Sequence, residues 1–254
     1  MNETVFVRFY EELNFFLPKE KKKTEFSHEI SYGQTVKDMI ESEGVPHVEV
    51  DLILANGESV GFEYQIRPGD RISVYPMFER LDVSETRKLK GAPLRNPRFI
   101  LDNHLKKLAW KLRLLGFDVL WDSKWDDPEL AEISSDQQRI LLTRDRGLLK
   151  RKIVTRGLYV HSILPGEQVK EVVSKLSLEK LAKPFSRCAE CNGPLYPVAG
   201  DGPEASEVSG LVPEEVALHV SEYFRCSDCR KIYWKGSHLP KITKWLGELG
   251  ITAE

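Results

Sequence analysis

Sulfur is scarce in this 254-residue sequence, with four cysteines and three methionines. The opening stretch, MNETVFVRFYEELNFF, lacks the basic-then-apolar layout of a secretory signal. Together these features lead us to expect a reducing, cytoplasmic setting, with the thiols free or on a metal rather than in disulfides. No run approaches the ~18 apolar residues that a membrane helix needs, so no membrane partner is expected. No Gly-rich phosphate loop and no Gly-x-Ser-x-Gly nucleophile elbow occurs, which excludes two common catalytic layouts. Net charge is small as well, at -2, and taken alone it gives no hint of a polyanionic partner. What is present is ordinary for a folded chain: 41% apolar and 30% charged residues argue against disorder.

The small net charge hides blocks. From Arg80 to Arg113 there are ten basic residues against three acids. From Asp118 to Asp136 there are seven acids and one lysine. From Arg139 to Arg156 there are seven basic residues and only Asp145 as an acid. No lysine or arginine lies between Arg187 and Arg225, a stretch holding seven acids. Any one block fits a solvated surface. Basic blocks flanking an acidic one also fit a polyanion held around a cation.

Three segments separate. In the first, 1–80, TVFVRFY alternates as a strand and KTEFSHEI reads as a second. Thr35 is placed to cap a helix over VKDMIESE. DLIL, Asn56-Gly57 and ESVGF read as strand, tight turn and extended piece, and RISVYPMF as a last strand. This order resembles the β-grasp fold of ubiquitin-like sulfur carriers. The chain runs on past Pro76 without the free Gly-Gly end such carriers use, so we expect a docking module and a protein partner rather than a carrier. A polar linker, LDVSETRKLKGAPLRNP, follows. In the second segment, 97–183, the strands RFIL, FDVLW, RILLT and GLYVHSI alternate with helices over HLKKLAWKLRLL, ELAEISSDQQ and GEQVKEVVSKL. Such alternation predicts an α/β/α layer with a parallel sheet. The third segment, 184–245, holds all four cysteines.

Sites in open α/β sheets form beyond the carboxyl ends of strands. Asp102 directly follows RFIL, Asp145 comes two residues after RILLT, and Asp126 and Asp127 lie just past FDVLW. These four are the catalytic candidates. Asp102, Asp127 and Asp145 are the expected ligands of Mg²⁺ or Mn²⁺, since an oxygen-only set suits those ions. The matching chemistry is metal-assisted phosphodiester hydrolysis. Arg144, Arg146, Lys106, Lys107 and Arg113 are candidates for holding the phosphate chain, and Thr143 for orienting a carboxylate beside it. Asp127 also reads as a helix cap, and Asp145 as a turn residue.

Cys188-Ala189-Glu190-Cys191 and Cys226-Ser227-Asp228-Cys229 form two Cys-x-x-Cys knuckles, 34 residues apart. Two knuckles complete a closed tetrahedral site, so the expected ion is a structural Zn²⁺ in a zinc ribbon. The long gap, VAGDGPEASEVSGLVPEE, reads as a mobile insertion. After the second knuckle, RKIYWKGSHLPK mixes basic and aromatic residues. Trp234 there suits either base stacking on single-stranded nucleic acid or packing of the small ribbon core.

FILDNHLKKLAWKLRLLGFDVLWDSKWDDPELAEI followed by RILLTRDRGLLKR resembles the mut-seven C-terminal RNase family, a branch of the PIN-like nucleases. Leu115-Gly116-Phe117-Asp118 and Leu142-Thr143-Arg144-Asp145 carry the likeness, and Lys106 stands where the family has a glycine. With its ubiquitin-like front and zinc-ribbon tail, nearly the whole chain is similar to fusions of this kind. The resemblance implies a PIN-like fold and a metal-dependent ribonuclease, with Asp102, Asp127 and Asp145 at the acidic positions. The partner it implies is RNA, single-stranded or structured, tRNA included. Many PIN sites carry a fourth acid near the end of the next strand. Here GLYVHSILPG has none, which leaves open a non-catalytic RNA-binding or assembly protein that keeps a PIN-like shell.

Overall fold

The structure, a computed structural model, describes residues 3–76, 96–198, 203–220 and 222–252. The expected strand continuation over 77–79 and most of the linker lie outside the described residues.

The front segment is a mixed sheet with one helix. Its elements are β1 (Thr4–Phe9), β2 (Phe26–Glu29), α1 (Val36–Ser42), β3 (Val50–Ala55), β4 (Glu58–Val60) and β5 (Arg71–Pro76). The strand order is β2-β1-β5-β3-β4, with β1 and β5 parallel and the other neighbours antiparallel. This is the β-grasp arrangement expected from the strand and helix order. Alternation puts Val5, Val7 and Phe9 on one face, where they are buried with Met39, Ile40, Ile53, Ile72 and Val74. Thr35 caps α1 in a reciprocal box with Asp38. Asn56 and Gly57 both take positive φ, 52° and 87°, as the tight hairpin between β3 and β4 demands.

The centre alternates strands and helices: β6 (Arg98–Leu101), α2 (Lys106–Leu114), β7 (Asp118–Leu120), α3 (Asp127–Asp136), β8 (Ile140–Thr143), α4 (Arg146–Leu149), β9 (Gly157–Tyr159) and α5 (Pro165–Lys175). β6 pairs with β7, and β8 with β9, both in parallel. The tail holds β10 (Leu195–Val198), α6 (Pro203–Leu211), α7 (Glu214–His219), β11 (Tyr223–Cys226), β12 (Ile232–Trp234) and α8 (Leu239–Glu248). Its three strands form an antiparallel sheet in the order β10-β11-β12. None of the described helices is long and apolar enough to cross a membrane.

The stretch between the knuckles corrects the sequence reading. We expected a mobile insertion, but beyond 199–202 (outside the described residues) it forms α6 and α7. The reason is a small apolar cluster. Val208 is fully buried with Val198 and Tyr223, and Val212, Val216 and Val220 pack against them. The guanidinium of Arg225 donates to both Glu204 and Glu207, at 3.3 and 2.9 Å.

By its contacts the chain divides into two compact units, Met1–Leu94 with Trp125–Tyr159, and Arg95–Lys124 with Val160–Glu254. The first unit joins the β-grasp segment to α3, β8, α4 and β9. A 3-10 turn at Glu11–Phe16 presents Phe15 and Phe16 to Tyr159, with ring centroids 5.6 and 5.4 Å away. Arg146 donates to the Phe16 carbonyl at 3.2 Å, and Lys150 to the Glu41 carbonyl at 2.7 Å. His47 faces the Val154 carbonyl through Nε2 at 3.0 Å and the Glu41 carboxylate through Nδ1 at 2.6 Å. The buried carboxylate of Glu49 accepts the Tyr159 amide hydrogen. Each backbone group met in this way is spared the cost of burial without a partner.

Candidate functional site

The four cysteine sulfurs all lie within 4.8 Å of one another. Cys188 Sγ is 3.6 Å from Cys229 Sγ, and Cys191 Sγ 3.4 Å from Cys226 Sγ. A tetrahedral zinc with bonds of ~2.3 Å sets sulfur–sulfur edges near ~3.8 Å, so this donor set fits one. The two knuckles share one local geometry. Asn192 and Arg230, each directly after the second cysteine, take left-handed φ of 72° and 62°. Their amides donate back to the carbonyls of Cys188 and Cys226. The Tyr233 hydroxyl lies 3.1 Å from Cys188 Sγ, within hydrogen-bond reach. Burial acts to raise the Cys188 thiol, but backbone amides of Cys191 and Glu190 and the Tyr233 hydroxyl bring it down to about 7. Burial and neighbouring thiols push Cys229 up to about 12.

Arg113, expected as a phosphate contact, turns out to be a buried brace. The residue is 6% exposed, and its guanidinium donates to the carbonyls of Val119 (2.9 Å), Glu190 (2.5 Å) and Ala189 (3.4 Å). Burial lowers its pKa, against the pull of Cys191, Cys188, Glu190 and Asp118. Asn192 completes the link between knuckle and β7. Its Oδ1 accepts from the Val119 amide at 2.9 Å and its Nδ2 donates to Asp118 at 2.8 Å. Gly116 sits against this junction at φ 89°, where a side chain would run into the Lys183 carbonyl. Arg113 and Asn192 thus fix the first knuckle to the end of α2 and the edge of β7. Sequence reasoning missed Asn192, although its place directly after a Cys-x-x-Cys was a signal.

The aspartates stand where chain order predicts, each at a strand end or helix start. Asp102 directly follows β6 and is 8% exposed, with His104 Nδ1 3.3 Å from its Oδ1. Asp126 is the residue that caps α3, in a reciprocal box with Glu129, and Asp127 is the first helical residue. The capping role considered for Asp127 therefore belongs to its neighbour. Asp145 caps α4, its Oδ1 accepting from Gly147 (2.6 Å) and Leu148 (3.3 Å). Both cap contacts use Oδ1. Thr143, fully buried at the end of β8, accepts the Asp145 amide on its hydroxyl at 2.9 Å.

The basic candidates divide. Lys106 and Lys107 are exposed on α2, with Lys106 Nζ 5.2 Å from the Trp121 ring centre. Arg144 is half-buried after β8. Arg146, expected on phosphate, is held elsewhere: its guanidinium lies 5.1 to 5.8 Å from the ring centres of Phe16, Phe15 and Tyr159. Trp234 is 38% exposed at the end of β12.

Residues 97–246 match the family model described as Mut7-C RNAse domain, well over half of the chain. The chain belongs to the Mut7-C RNase family. Residues 2–82 match a second model, described as Mut7-C ubiquitin, so this Mut7-C chain carries the ubiquitin-like front as well. No curated protein and no solved structure is matched.

One further acid of the Mut7-C domain escaped sequence reasoning. Glu171, on α5, folds back onto the 161–162 turn. It accepts both backbone amides there, at 2.9 and 3.0 Å, and faces His161 Nδ1 at 2.7 Å. Its burial favours the neutral acid, but these hydrogen bonds outweigh that and hold its pKa below the ordinary value. The same carboxylate thus engages the His161 ring.

Proposed function

We propose that the protein is a divalent-cation-dependent ribonuclease, with Asp102, Asp127 and Asp145 as ligands for Mg²⁺ or Mn²⁺. The observation that carries this reading is the Asp145 element. A Leu-Thr-Arg-Asp run ends a fully buried strand inside a match to the Mut7-C RNAse domain. Carboxylate oxygens are hard donors, which suits those ions. Asp145 spends one oxygen on its cap, so the other is available to a ligand. Asp126 is assigned to the α3 cap instead. A cation bound there supplies charge stabilisation at phosphorus and an activated water.

The chain's own groups do the remaining work. Lys106, Lys107 and Arg144 hold the phosphate backbone by charge. Thr143 fixes the backbone of Asp145, and His104 steers the Asp102 carboxylate. The zinc ribbon grips the strand, Trp234 stacking on a base. The ubiquitin-like front offers a protein-binding surface, and the protein works in the cytoplasm. Water attacks phosphorus directly, leaving a 5′-phosphate and a 3′-hydroxyl.

The test is cleavage of end-labelled RNA by zinc-loaded protein with and without added Mn²⁺, beside an Asp102→Asn/Asp145→Asn double variant. Omitting Mn²⁺ is preferable to chelation, which also strips the ribbon. We expect cleavage only by the unaltered protein with Mn²⁺. Equal cleavage by the variant, or a cyclic phosphate product, overturns the reading. A second reading, a non-catalytic RNA-binding or assembly protein, is favoured by one feature: GLYVHSILPG offers no carboxylate where PIN enzymes often place a fourth. Tight binding without cleavage across varied RNAs would establish it.

A further inference from the structure

α2 carries no acidic residue, and its solvent side is a strip of cations around one indole. Lys106 and Lys107 stand one helical turn before Trp110, at i–4 and i–3, so both flank its ring. Lys111 stands one turn after Lys107 on the same side. Trp110 is 42% exposed, although it is among the largest apolar side chains available for burial. Two more indoles border the strip. Lys106 Nζ lies 5.2 Å from the ring centre of Trp121, and Lys111 Nζ lies 4.6 Å from that of Trp245 on α8. Trp121 is fixed by its indole N–H, which donates to the Asn103 carbonyl at 3.1 Å. The opposite face of α2, Leu108, Ala109 and Leu112, is fully packed, so this side is spare to the fold.

We propose that this face of α2 is a binding track for unpaired RNA, one base stacking on Trp110 and the adjoining phosphates meeting Lys106, Lys107 and Lys111. It rests on the nucleic-acid reading above and specifies the substrate as single-stranded where it crosses α2. Charge complementarity decides the occupant. Three ammonium groups with no carboxylate on the helix suit a polyanion, and an exposed indole suits a polyanion with flat apolar faces. A duplex hides those faces in its stack. An acidic peptide would satisfy the lysines but would leave the indole without a stacking partner.

The test is direct binding by the full zinc-loaded chain without added Mg²⁺ or Mn²⁺, so that no cleavage intervenes. The probes are fluorescent oligouridylate, oligoadenylate, a duplex of matched length, and polyglutamate as competitor. Stacking is worth ~1–3 kcal/mol per base, so Trp110→Ala should weaken single-strand binding roughly 5- to 150-fold. Trp110→Tyr, which keeps a ring, should restore most of it. Lys107→Ala should lower the salt dependence of binding by about 0.7 in log–log slope, as loss of one phosphate contact predicts. Unchanged melting temperatures for these surface variants keep the comparison clean. The proposal is overturned if Trp110→Ala binds like the unaltered protein, if duplex and single strand lose equally, or if polyglutamate displaces RNA as well as RNA itself does. RNA cleavage insensitive to Trp110→Ala would sink this track and leave the nuclease standing. Ring-dependent binding without cleavage would do the reverse.

Discussion

Oδ1 of Asp145 caps α4 through the Gly147 and Leu148 amides, while the proposed reaction needs the same carboxylate for a cation. The two roles separate by substitution. Asn caps as well as Asp, whereas Ala loses about 1 kcal/mol. Asp145→Asn should therefore melt with the unaltered protein yet lose RNA cleavage, and Asp145→Ala should lose both. Thermal denaturation beside the cleavage assay reads the pair. If Asp145→Asn kept full activity, the carboxylate would be a cap and nothing more. At Arg113 the prediction concerns stability. Three carbonyls of buried or half-buried backbone depend on its guanidinium, so Arg113→Ala should cost roughly 2–4 kcal/mol. Arg113→Lys should not restore it, because one ammonium cannot span three carbonyls in the guanidinium's plane. A melting curve in which Lys matches Arg would refute this. The sequence marked Arg113 as basic but carried no sign of which way it points. That direction is set by Glu190, 77 positions away.

Among the elements, those with a local signature could be read directly. Alternation announced β1, the Thr35 cap announced α1, and Asn56-Gly57 announced the β3–β4 turn, because each depends on residues close in sequence. α6 and α7 were misread because Gly, Pro and acids dominate the stretch. The overlooked sign was valine at 208, 212, 216 and 220, apolar residues recurring through the acidic stretch that all enter one cluster. For the knuckles, zinc binding must displace the Cys229 proton throughout the neutral range, since its thiol is pushed up to about 12. Burial raises the Cys226 thiol too, so its proton is displaced as well, and Cys188, brought down to about 7, adds a further proton only on the acid side of that value. Metal favours thiolate, so apparent zinc affinity should fall as pH falls, and more steeply below about 7. Competition with a chromogenic chelator at several pH values measures it. A pH-independent affinity would show that the thiols bind already ionised.

Over the whole molecule, what stayed illegible was the joining of the front segment to α4 and β9. His47 to Val154 and Glu49 to Tyr159 span 107 and 110 positions, and no periodicity encodes such pairs. They change what the ubiquitin-like front is. Removing residues 1–80 would strip the partners of Arg146, Lys150, Val154 and Tyr159 at once. Glu49→Ala should lower stability by about 2–3 kcal/mol, since it removes the buried carboxylate that accepts the Tyr159 amide. It should also quicken proteolysis within 146–159, read by mass spectrometry of a brief digest. Cleavage at the unaltered rate would mean that the front is a detachable module.

The same joining imposes a timetable on synthesis. The last described strand of the front sheet ends at Pro76, but Tyr159 is translated about 80 residues later. At ~5–20 residues per second, that is a wait of roughly 4 to 16 s. A β-grasp sheet that formed during that wait would stand with the Glu49 carboxylate and the Phe15–Phe16 edge uncovered. That interval would be open to a chaperone or a second nascent copy, until the chain's own β9 covered the edge.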